Sequence, residues 1–147
     1  MSTPSAAEAL ARLRHELAHP PFHAVLRPQA LEADPATGRV AVRLPYRPDF
    51  GRAAGSGHVH GGVIAALIDL TAHAAVAVQT QRMAPTIDLR IDYLRPAPAG
   101  DLIARGHTLQ LGRTIARTDV EVVDAADGRV VAVGRGTFSV HVPSPKE

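Results

Sequence analysis

Two features of this chain could do chemistry together. One is the turn His60-Gly61-Gly62, which opens a long apolar run, and the other is Asp69, the only acid inside that run. Free amides at the start of a helix carry partial positive charge and accept an oxyanion well, and glycines let a reacting group come close to them. A carboxylate can act on water as a general base or attack a carbonyl itself. Placing that carboxylate among Val, Ile, Leu and Ala is costly unless it is solvated or paired, so Asp69 is a functional candidate on energetic grounds alone.

The elements that must hold these groups follow from periodicity. From Gly62 to about Thr80 the pattern predicts a helix that is apolar almost all the way round, hence buried on most sides. At about 100° per residue, Gly62, Ala65, Ala66, Ala72, His73 and Val76 share a face with Asp69. That small-residue face would admit another backbone or a slim ligand. Upstream, Leu10, Leu13 and Leu17 predict an amphipathic helix over 5–18, followed by a short strand near 24–33, a turn at 34–38, a strand over 39–46 and a loop over 47–57. Downstream the period changes to 2. Ile87, Leu89, Ile91 and Tyr93 alternate with Asp88, Arg90, Asp92 and Leu94, a turn is expected at 96–101, and strands follow at 102–109, 114–123 and from Arg129 to about Val142. Short turns make such strands antiparallel neighbours, a meander. The expected fold class is α+β, a curved antiparallel sheet wrapped around a central buried helix, with Gly106, Gly134 and Gly136 supplying bends. This architecture is called the hotdog fold.

Composition bounds the reading. With 147 residues, 46% hydrophobic and 20% charged, the chain is expected to be one domain over 1–147, with 1–20 as helix and lead-in and 143–147 as a tail. The absence of cysteine excludes disulfides, thiolate metal sites and a cysteine nucleophile. The apolar run is short, Ala-rich and interrupted by an acid, so no membrane association is expected and the cytoplasm is the expected location. A net charge of +2, scattered arginines and only three Phe and two Tyr argue against nucleic acid as a partner. A few arginines meeting phosphates of a small ligand are compatible with this pattern.

His60-Gly61-Gly62, then Asp69, then Thr86-Ile87-Asp88-Leu89-Arg90-Ile91-Asp92-Tyr93-Leu94-Arg95-Pro96-Ala97 resembles the hotdog-fold acyl-CoA thioesterases of the phenylacetate-degradation type, over about 21–140. The resemblance implies hydrolysis of an acyl-CoA to a free acid and coenzyme A, with no cofactor beyond the coenzyme A of the substrate. It implies Asp69 as base or nucleophile, Gly61 and Gly62 amides as the oxyanion hole, His60 shaping the turn, and Thr86 assisting water. Two positions depart from the family pattern. Ala54 stands where many members carry a loop Asn or Gln, and His73 stands where a small residue is usual.

Geometry adds a demand of its own. Gly62 and Asp69 are seven residues apart, about 10 Å along a helix, whereas one reacting carbonyl must lie within hydrogen-bond reach of both donor and base. A two-fold dimer resolves this by facing the helix start of one subunit with Asp69 of the other. The expected self-partner is therefore a homodimer, with a dimer of dimers as the further expectation. Candidate substrate-binding residues are His73, Arg95, Arg113 and Arg135, the arginines toward coenzyme A phosphates. His73 can equally be a packing neighbour that tunes Asp69. His58, His60, Asp69 and His73 do not form a tight metal-ligand spacing, and no metal is expected. The alternative function is a non-catalytic acyl- or aryl-thioester-binding module of the same fold, motivated by Ala54.

Overall fold

The computed structural model describes residues 2–141, so the tail expected at 143–147 and the end of the last strand at Val142 lie outside the described residues. Helix α1 (Ala6–Ala18) starts at a capping box: Ser5 Oγ accepts from Glu8 N–H, and the Glu8 carboxylate accepts from Ser5 N–H at 2.7 Å. It buries Leu13 and Leu17. The strand expected from Ala24 begins later. Residues His23–Leu26 form a single helical turn, α2, which Arg27 closes in the left-handed conformation (φ 55°). Pro28 follows, and β1 runs Gln29–Asp34. Strand β2 (Arg39–Leu44), a 3-10 turn (Pro48–Phe50) and helix α3 (Gly61–Thr80) follow, and after them β3 (Thr86–Tyr93), β4 (Leu102–Leu111), β5 (Ile115–Asp124) and β6 (Val130–Ser139).

All strand pairs are antiparallel, in the order β1-β2-β4-β5-β6-β3. Strands β4, β5 and β6 form the expected meander, but β3 does not pair with β4 across the expected turn at 96–101. It lies at the far edge against β6, from Thr86 opposite Phe138 to Tyr93 opposite Ala132. The 94–101 segment is a connector rather than a hairpin, because its backbone is already engaged elsewhere. Leu94 N–H bonds Val131 O, Val59 N–H bonds Ala97 O, and Ala99 N–H bonds Gly57 O. This ties the loop before α3 to the end of β3.

Helix α3 lies in the concave face of the sheet, with Leu67, Ile68, Val76 and Val78 fully buried. By length and composition it could cross a membrane, but most of it is packed inside the fold. The strand glycines mark where α3 comes nearest. A Cβ at Gly134 would lie 2.5 Å from Ile68 Cγ2, and one at Gly106 would lie 3.2 Å from Thr71 Cγ2. Gly134→Ala is therefore expected to push Ile68, the neighbour of Asp69, off the sheet and to cost about 1–3 kcal/mol as overpacking does. A thermal melt checks this; an unchanged midpoint would contradict it.

Candidate active site

His60 caps α3 in extended conformation (φ −64°, ψ 135°), and its ring Nδ1 accepts the Gly62 N–H at 2.8 Å. An accepting Nδ1 carries no proton, so the neutral ring presents Nε2–H outward. The Val63 and Ile64 amides both reach His60 O, at 3.0 and 3.4 Å. Gly61 N–H alone among these first amides has no acceptor among the described residues. The sequence reading offers two glycine donors; in this chain one of them is already spent on His60. On the other side of the same peptide unit, Tyr93 Oη donates to Gly61 O at 2.7 Å, and its ring lies 3.4 Å from where a Gly61 Cβ would be. Tyr93 thus fixes the glycine from the end of β3. Sequence reasoning did not single out this role, although the tyrosine closing the alternating strand was its visible signal.

Asp69 is half-buried rather than enclosed. The wheel gives a helix apolar on nearly every side, but the sheet covers α3 incompletely where β3 ends it, and Gly62, Ala65, Ala66 and Asp69 line the open side. The enclosed carboxylates are Glu16 and Asp124, at 7% and 8% exposure. Thr86 Oγ1, at the first position of β3, donates to Asp69 Oδ1 at 2.8 Å. Asp69 Oδ2 has no protein partner among the described residues. The carboxylate is therefore held by one oxygen and offers the other.

His73, one turn further along α3, points into the protein. Its Nε2 accepts the Ala84 N–H at 3.1 Å, and its Nδ1 lies 3.5 Å from the Glu16 carboxylate of α1, which Arg12 pairs at 2.5 Å. These contacts turn His73 toward α1 and the segment before β3. Burial pushes the imidazole below its ordinary pKa, opposed by the charges of Glu16 and Asp69. The unfolded chain takes up this proton near pH 6.5, roughly, and the folded chain only at lower pH. Stability is thus complete above that value and is lost as pH falls toward the folded value. The melting temperature of the wild type is expected to fall more steeply than that of His73→Gln below about pH 6.5; parallel profiles would contradict this.

The three arginines separate. Arg135 projects from the convex face, since its neighbour Gly134 faces α3, and it is bound bidentately by Asp119 at 2.7 and 2.9 Å. The pair lines an outer hollow of about 660 Å³ with Arg105, Glu121 and Arg90, on the opposite face of the sheet from Asp69. Arg95 bonds the Val130 carbonyl beyond the end of β3. Arg113 stands in the β4–β5 turn. Its neighbour Thr114 accepts from Val140, and Ser139 bonds Pro85, so this turn shares the sheet end at which Thr86 starts β3.

Residues 56–132 match the thioesterase superfamily. A Halobacterium salinarum protein carrying a provisional esterase name is 39% identical over 117 residues, 73% of this chain and 77% of that one. Human acyl-coenzyme A thioesterase 13 is 34% identical over 69% of this chain and 73% of its own. The solved structure of a phenylacetic acid degradation-related protein from Ralstonia eutropha JMP134 superposes with a TM-score of 0.77 at 26% identity, covering 90% of this chain and 99% of that one.

Proposed function

Given that the chain belongs to the thioesterase superfamily and is a thioester hydrolase, we propose that it hydrolyses acyl-coenzyme A at a site built from two subunits. Asp69 acts as general base, Thr86 orients it, and Gly61 N–H of the partner subunit holds the thioester oxygen. The observation that carries this reading is the placement of both half-sites on one edge strand. Thr86, at the start of β3, holds Asp69, and Tyr93, at its end, holds Gly61. Within one subunit Asp69 and Gly61 are eight residues apart on α3, about 12 Å along its axis, too far for one carbonyl.

Among the described residues no strand pairs with the outer side of β3, which exposes Ile87 and Tyr93. Such an edge is a template for another chain. Antiparallel pairing of two β3 strands about a two-fold axis lays the Thr86 end of each against the Tyr93 end of the other. Asp69 then faces the partner's unspent amide, twice per dimer. The same operation brings Arg95 of the partner subunit toward the sheet end that carries Arg113, so the two could flank coenzyme A phosphates.

With Oδ1 engaged by Thr86, Asp69 Oδ2 takes a proton from water; the hydroxide attacks the carbonyl, the oxyanion rests on the Gly61 amide, and collapse expels the coenzyme A thiolate. Thiol release from a panel of aryl- and alkyl-coenzyme A thioesters, run as a single turnover in ¹⁸O water, tests this. Label in the product acid and none in the Asp69 peptide is expected. Label in that peptide would mean direct attack, and thioester binding without thiol release would leave the non-catalytic module.

A further inference from the structure

The proposed site needs Thr86 at a fixed place, yet the five residues between α3 and β3 that deliver it, 81–85, belong to no strand or helix. Two bonds tie this connector down just before Thr86: Ser139 N–H donates to Pro85 O from β6, and the other, the one of the two that joins it to the helix bearing Asp69, runs to His73. Its Nε2 accepts the N–H of Ala84, two residues before Thr86, while the body of α3 that carries His73 also carries Asp69 one turn earlier. One rigid helix therefore holds both ends of the Thr86–Asp69 hydrogen bond, directly through Asp69 and indirectly through His73 and Ala84.

The ring is itself oriented. Glu16, buried at 7% exposure and paired with Arg12, faces Nδ1, so the favoured neutral tautomer is the one with the proton on Nδ1 and the lone pair on Nε2 aimed at Ala84. The charged and titratable groups facing the imidazole are Glu16, Arg12 and His23 from the N-terminal segment and Asp69 from its own helix. Ala84 is fully buried, so its amide has no water to fall back on if the ring is lost.

We propose that His73 is a positioning residue for the hydrolysis. Through the Ala84 amide it latches the 81–85 connector to α3 and so sets Thr86 against Asp69, with α1 backing the latch through Glu16. The proposal rests on the site assignment above, but it concerns a residue that touches neither substrate nor the reacting atoms. A latch differs from ordinary packing in one measurable respect: its effect passes through Thr86.

The test is a double-mutant cycle on the full chain. His73→Asn keeps a polar group at the Nδ1 position and does not reach Ala84, whereas His73→Gln places its amide oxygen near the Nε2 position. The Asn variant is expected to lose about tenfold in kcat with KM unchanged, near the lower end of what a hydrogen bond to a charged group is worth. The Gln variant should retain most of kcat. In a Thr86→Val background, His73→Asn should cost nothing more, because the hydroxyl it positions is already gone. Equal losses in both backgrounds, or a folded Asn variant with wild-type kcat, would overturn the latch. Should His73→Asn fail to fold, the Gln variant decides, since a folded Gln variant with a tenfold loss of kcat also overturns it. Asp69→Asn, assayed alongside, separates the two levels. If it hydrolyses at the wild-type rate, the site assignment falls and the latch with it; if it is inactive while the cycle is additive, only the latch falls.

Discussion

Asp69→Asn is expected to lower kcat by about 10²–10⁴-fold, the range typical of a general base, with KM and the thermal midpoint nearly unchanged. Asparagine is isosteric and keeps an amide oxygen where Thr86 Oγ1 donates to Oδ1, so the hydrogen bond that ties β3 to α3 survives. What disappears is the basicity of the second oxygen, which no described residue occupies. Because that oxygen acts on water and not on the thioester, loss confined to kcat is the signature. Steady-state thiol release checks it. A variant with wild-type kcat would remove Asp69 from the chemistry.

The second large effect belongs to the helix start. Gly61→Pro deletes one donor and little else. Gly61 is the first residue of α3, where proline is best tolerated, and His60 before it already has the extended backbone that a following proline requires. Its N–H gives up no bond among the described residues. Removing an oxyanion donor costs about 10²–10³-fold in kcat, and that loss is expected here with the fold retained. Gly61→Ala is the control. It keeps the N–H and brings a Cβ to 3.4 Å from the Tyr93 ring, an ordinary contact, so its kcat should stay within a few-fold of wild type. Equal activity of the proline and alanine variants would show that this amide holds no oxyanion.

Much of this was legible in the sequence because it is local. The change of period after Thr80, the capping turn at His60 and the acid alone on α3 are each contained in a short window, and the family likeness rests on those same residues. What was not legible depends on long-range pairing. Alternation shows that 86–93 is a strand but not which strand it joins, and β3 lies at the edge against β6, leaving a free side where a neighbouring turn had suggested β4. Helical periodicity places Asp69 on a small-residue face but does not reveal that the sheet leaves that face open. Nor does spacing disclose that His60 consumes the Gly62 amide, since that depends on a ring rotamer. Nor does the sequence place Arg135 beside Asp119 on the convex face, since that depends on the β5–β6 register.

Whether one site truly draws on two chains is decided by mixing defects. Asp69→Asn and Gly61→Pro subunits, each inactive alone, are co-expressed with different tags and purified through both. A mixed dimer carries one site with an intact Asp69 facing an intact Gly61 and one site with neither, so activity should return to about half the wild-type value per dimer. A doubly tagged product no more active than its parents would contradict the shared site.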